Sequence, residues 1–135
     1  MTLEVPLAQL HAELERRGNS GYLLTVGAGG RPHCVAVELA WEGDHLTMGA
    51  GMTSVRNAAV RSEVAILSPP APSDSGGYSL IVDAAVSRTV DAGEGRSSVT
   101  LRPTHAVLHR PAVAPDGTPA HDCVHLYDTE QTVAT

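Results

Sequence analysis

Residues 22–67 read YLLTVGAGGRPHCVAVELAWEGDHLTMGAGMTSVRNAAVRSEVAIL, and the changes of period within this stretch decide the fold. YLLTV (22–26) is a short apolar run that stops at GAGGRP (27–32), a turn built from glycine and proline. HCVAVELAW (33–41) then alternates, with His33, Val35, Val37, Leu39 and Trp41 on one face and Cys34, Ala36, Glu38 and Ala40 on the other. Both faces are mostly small or apolar, as expected of a barrel strand that packs inward and also meets something outside. EGD (42–44) makes a tight turn and HLTMGA (45–50) a third strand, so these three form an antiparallel meander. A Ser-x-Arg-Asn cluster then opens a helix expected over about 53–62, and VAIL (64–67) resumes a strand.

Upstream, Leu7, Leu10 and Leu14 recur at helical spacing, predicting a helix over 6–17 with Pro6 in its first turn and Gly18 just past its end. Downstream, SPPAPSDSGG (68–77) is a loop, YSLIVDAAVSRTV (78–90) a long curved strand, and SSVTLRPTHAVLHR (97–110) holds a last strand with a break expected at Pro103. The count is about six strands and two short helices. Repeated parallel crossovers need more helices than that, so the prediction is a mainly β protein, an antiparallel β-barrel with short helices. A barrel domain over 1–112 and a C-terminal extension over 113–135 are expected, the latter partly linker with a short edge strand in HDCVHLYD.

Composition narrows function mainly by exclusion. The chain has 135 residues, no lysine, nine arginines against fifteen acidic residues, and a net charge of −6. A nucleic-acid-binding face needs clustered cations, and none is visible. No unbroken apolar stretch reads as a membrane span, and two cysteines make no disulfide framework, so a cytoplasmic protein is expected. A P-loop requires a lysine; GAGMTS (49–54) lacks the third glycine of a dinucleotide fingerprint; no GxSxG elbow occurs. His121, Cys123 and His125 would spread over about 13 Å of strand, too far for one tetrahedral zinc, so no metal is expected. His33 and His45 show no partner, Cys34 is expected to be buried and inert, and Arg61 reads as a surface charge.

TSVRN (53–57) carries two readings. Thr53 or Ser54 at a helix start caps the free backbone N–H groups, with Arg56 paired to a carboxylate. Alternatively the same N–H groups, the helix dipole and the Arg56 guanidinium hold a phosphate, with Asn57 supporting the loop or the ligand.

In order and spacing, these segments resemble the pyridoxamine 5′-phosphate oxidase-like family, the flavin-binding split β-barrels. The resemblance covers residues 3–112. It rests on Gly-Arg-Pro-His (30–33), the Trp-x-Gly-Asp-x-Leu hairpin (41–46), a Ser-x-Arg-Asn turn (54–57) where the family often has Ser-x-Lys-x-Asn-Leu, and the strands YSLIVDAAVSRTV and THAVLHRP. It implies a six-stranded antiparallel split barrel that pairs as a homodimer, with FMN or the deazaflavin F420 in a groove between the subunits. Ser54, Arg56 and Asn57 would meet the phosphate, with Thr53 assisting. The backbone of Val35, Ala36 and Val37 would lie near the ring, and Met48, Gly49 and Ala50 would line the cleft. The implied activity is that of an oxidoreductase on a small molecule. The alternative is a non-catalytic split-barrel dimer that binds a flavin or haem, or has lost its cofactor. The second phosphate-binding cation of the family has no clear counterpart, so true pyridoxamine phosphate oxidase activity is not expected.

Overall fold

The computed structural model describes residues 2–70, 76–93 and 95–111. The expected edge strand in HDCVHLYD lies outside them. The elements in order are β1 (Thr2–Glu4), α1 (Leu7–Arg16), β2 (Ser20–Val26), β3 (Pro32–Glu38), β4 (Ala40–Glu42), β5 (His45–Gly49), α2 (Met52–Val60), β6 (Glu63–Ser68), β7 (Ser79–Val90) and β8 (Ser98–His109). All pairing is antiparallel, in the order β3-β2-β6-β7-β8-β5-β4, with β1 added to β8.

The two ends of that order, β3 and β4, are consecutive in the chain and separated only by Leu39. The stretch expected to be one strand over 33–41 is therefore bent. Its first part pairs with β2 and its second with β5, and this curls the sheet into a barrel. At the corner, Leu39 is buried and its N–H bonds the carbonyl of Asn19 at 2.8 Å. Asn19 itself sits at φ 51°, after Gly18 at φ 77°, in the left-handed turn that ends α1. β3 and β5 touch without sharing a ladder, so among the described residues β3 keeps a free backbone edge at the split.

Leu23, Leu46, Ile66, Leu80, Val82, Val99, Leu101 and Leu108 are fully buried inside the barrel. From α1, Leu10 and Leu14 join this core as the periodicity predicts, whereas Leu7 remains 48% exposed; Pro6 precedes the helix as its N-cap residue. β8 does not break at Pro103. The proline is accommodated by an irregularity in the register: Asp83 faces His105 and Ala84 faces Pro103, leaving Thr104 as an extra residue whose hydroxyl donates to the Asp83 carbonyl at 3.1 Å.

Alternation on the strands leaves an outward row as well. Ala36, Tyr22, Leu67, Ile81 and Val107 are register neighbours across β3, β2, β6, β7 and β8, and their sequence neighbours face the core. Cys34 lies on this outer side and is exposed, contrary to the expectation that it is buried. Period two identifies two faces, but with apolar residues on both it cannot say which one turns inward. No helix among the described residues is long and apolar enough to cross a membrane.

Candidate functional site

α2 starts two or three residues earlier than a cap at Thr53 or Ser54 requires. Gly51 is its N-cap residue, extended at φ −73° and ψ 172°, and no side chain caps the helix. Thr53 and Ser54 therefore lie inside the first turn, and the reading of either as the cap is wrong. The first intrahelical bond runs from the Val55 N–H to the Gly51 carbonyl at 3.1 Å. The N–H groups of Met52, Thr53 and Ser54 precede it and have no intrahelical acceptor.

The side chains of this turn go to different places. Ser54 is fully buried, and its Oγ shares a long hydrogen bond, 3.4 Å, with Nδ1 of His33 on β3. Asn57 Nδ2 donates to Oγ1 of the buried Thr25 on β2 at 3.1 Å. Thr25 and His33 are register partners, so two residues of α2 clasp one rung of the β2–β3 ladder. Asn57 also packs so close to Gly27 that a Cβ there would sit 3.0 Å from its Oδ1. Arg61, at the other end of α2, donates through Nε to the carbonyl of Gly27 at 3.0 Å and through a second nitrogen to that of Ala28 at 3.4 Å. It is exposed, as expected, but it has a job: it fixes the β2–β3 turn beneath the helix.

Thr53 and Arg56 point into solvent. Arg56 makes no ion pair among the described residues, so the carboxylate partner expected in the capping reading does not form. It lies one turn into the helix, not in the first turn. Of the other candidates, Met48 and Val37 are buried in the core, Val35 and Ala50 are half-buried, and Ala36 and Gly49 are exposed. Val35, Ala36 and Val37 lie on the strand with the free edge, and Met48, Gly49 and Ala50 run along β5 into the α2 start. β3 touches β5, β5 leads into α2, and Ser54 of α2 reaches His33 of β3, so contacts link the three elements that carry the candidates, while Met48 and Val37 are buried inside.

His33 is the residue that sequence reasoning missed. It has a partner, 21 positions away, and only the closure of α2 over the barrel end shows it. His45 also has one, Asp44 Oδ1 at 2.8 Å. Among the described residues no cluster of histidine, cysteine and carboxylate could hold a metal ion.

No family model matches the chain. It is 39% identical over 116 residues to two uncharacterised proteins, Mb0449c of Mycobacterium bovis and MT0457 of Mycobacterium tuberculosis, a match covering 77% of this chain and 80% of each relative. Among solved structures it superposes on an F420 reductase with a TM-score of 0.56 at 22% identity, covering 70% of this chain and 93% of the other. An FMN-binding protein of Syntrophomonas wolfei gives 0.60 at 11% identity, covering 76% and 84%. A pyridoxamine 5′-phosphate oxidase candidate of Listeria innocua gives 0.56 at 17% identity, covering 74% and 94%. The chain belongs to the family of the two mycobacterial proteins, and its fold is that of the pyridoxamine 5′-phosphate oxidase-like split β-barrels that its sequence resembles.

Proposed function

We propose that this protein is a flavin- or deazaflavin-binding oxidoreductase that holds the phosphate of FMN or F420 at the start of α2. The observation that carries this reading is the uncapped N-terminus of α2, with its free N–H groups and, one turn on, Arg56, which makes no ion pair among the described residues. Natural helices commonly satisfy these donors with a Ser, Thr, Asp or Asn side chain. Here the residue in that place is glycine, which leaves room for an anion to approach the backbone. Ser54, anchored by His33, and Asn57, anchored by Thr25, hold the turn in place so that the N–H groups stay convergent. The free edge of β3 at Val35, Ala36 and Val37 offers backbone donors and acceptors to a planar ring, and Gly49 and Ala50 form the other wall. A flavin or deazaflavin bound there would supply the hydride chemistry; the protein's share is binding, orientation and exclusion of water.

The same reading makes the active unit a homodimer. The row Ala36, Tyr22, Leu67, Ile81 and Val107 presents an apolar stripe on the outside of five strands, and a contiguous apolar face of that kind is what a second copy would cover. It lies beside the free edge of β3, so a partner seated on it would close the groove that the split leaves open.

The test is fluorescence titration of the purified protein with FMN and with F420, beside Arg56→Ala. Losing one charge-assisted phosphate contact removes about 1.5–3 kcal/mol, roughly ten- to a hundredfold in affinity. Binding of one cofactor weakened to that extent supports the reading. A protein that binds neither cofactor overturns it, and haem binding instead favours the non-catalytic alternative.

A further inference from the structure

A second concave site lies elsewhere on the barrel and shares no residue with the α2 region. It is a groove of about 400 Å³ between α1, the β4–β5 turn and β8, walled by Leu7, Leu10, His11, Trp41, Arg102 and Pro103. That volume accommodates a ligand of one or two rings. Three features of the groove are unexplained by folding. Trp41 is half-buried, and its indole N–H is shut off from solvent with no acceptor among the described residues. Buried donors of this kind are rare because each loses its hydrogen bonds to water. Arg102 stands exposed at the groove and makes no hydrogen bond or ion pair among the described residues. Leu7 is 48% exposed, although Leu10 and Leu14 of the same helix are buried.

The other side chains narrow what could sit there. The His11 ring packs on the Trp41 indole with centroids 4.9 Å apart and planes tilted by 41°, so the wall is aromatic. Asp44, which also lines the groove, already accepts from Nδ1 of His45 at 2.8 Å; that hydrogen bond, reinforced by the charge of Arg102, holds its carboxyl below the usual range. The acidic group is thus engaged within its own turn, whereas the Arg102 guanidinium beside it is an exposed donor. The complement of an apolar aromatic wall with an exposed guanidinium is a planar ring carrying an anionic acceptor.

We propose that this groove binds a small aromatic carboxylate. Its ring lies against Leu7, Leu10, Pro103 and the Trp41 indole, and its carboxylate meets Arg102. The site is separate from the proposed cofactor groove and stands whether or not that reading holds.

Trp41 is the chain's sole tryptophan, so its emission and its single indole N–H resonance both report on this groove. The experiment titrates the full chain with benzoate, using benzyl alcohol (no carboxylate) and acetate (no ring) as controls. The expected result is a saturable change in Trp41 emission and a shifted indole N–H resonance with benzoate alone. Arg102→Gln should then weaken benzoate binding about tenfold or more. Absence of a saturable response, an equal response to either control, or a benzoate titration that survives Arg102→Gln overturns the proposal. Should that variant lose its cooperative melt, the indole N–H shift in the native chain decides between benzoate and its controls.

Discussion

Asn57 shows how much of the α2 region depends on single side chains. It joins helix to barrel through the 3.1 Å bond to Thr25, and Thr25 is only 1% exposed, so no water stands ready to replace the lost donor. Asn57→Ala should lower the unfolding free energy by about 1–2 kcal/mol, read from the urea midpoint at unchanged slope. Gly21 makes the converse point. A Cβ there would meet the Leu67 carbonyl oxygen at 2.7 Å and Ile66 Cγ2 at 3.3 Å. The obstacle is backbone of the paired strand β6, which cannot swing aside as a side chain would. Gly21→Ala should therefore cost about 1–3 kcal/mol in the same measurement, despite the better conformational entropy of alanine.

At the scale of elements, the decisive device is the corner at Leu39, where one strand leaves β2 and joins β5. It is pinned by the carbonyl of Asn19, a residue held at φ 51° in the turn between α1 and β2. Asparagine tolerates this conformation better than other side-chain-bearing residues, and glycine tolerates it without cost. Asn19→Ala should destabilise by about 1 kcal/mol while Asn19→Gly stays near wild type, compared by thermal and urea unfolding. Most elements were legible from local chemistry: glycine with proline marked the turn at 27–32 and Glu-Gly-Asp that at 42–44, apolar spacing marked α1, and the Ser-x-Arg-Asn cluster marked α2. The corner was not, because alternation continues smoothly from His33 to Trp41 whether or not the strand changes partners. β1 was missed for a related reason. It has three residues, and its register partners Val107, Leu108 and His109 lie about a hundred positions away, so no local pattern announces it. The helix start shifted because Thr53 and Ser54 are good caps in isolation, yet Gly51 occupies the cap position and Ser54 turns inward to His33.

For the whole molecule, the open question is what covers the outer face of the sheet. Among the candidate residues, Ala36 is the one that belongs to both that face and the proposed ring site, which links assembly to cofactor binding. If a second copy seats on the row of Tyr22, Leu67, Ile81 and Val107, the groove at the free edge of β3 is complete only in the dimer. Ile81→Asp places a carboxylate in the middle of that row, between Leu67 and Val107 in register. Ile81 is half-buried at the outside, so the isolated barrel can keep its fold while the interface must bury a charge without a partner. Sedimentation should show the wild type at twice the chain mass of 14.0 kDa and the variant at that mass, with a retained cooperative melt. Cofactor affinity should fall together with the dimer, even though Ile81 lies three strands away from β3 and none of the phosphate-binding candidates is altered. A monomeric variant that binds FMN or F420 as tightly as the wild type would show that the groove is complete within one chain. A wild type that sediments as a monomer would show that no second copy covers the apolar stripe.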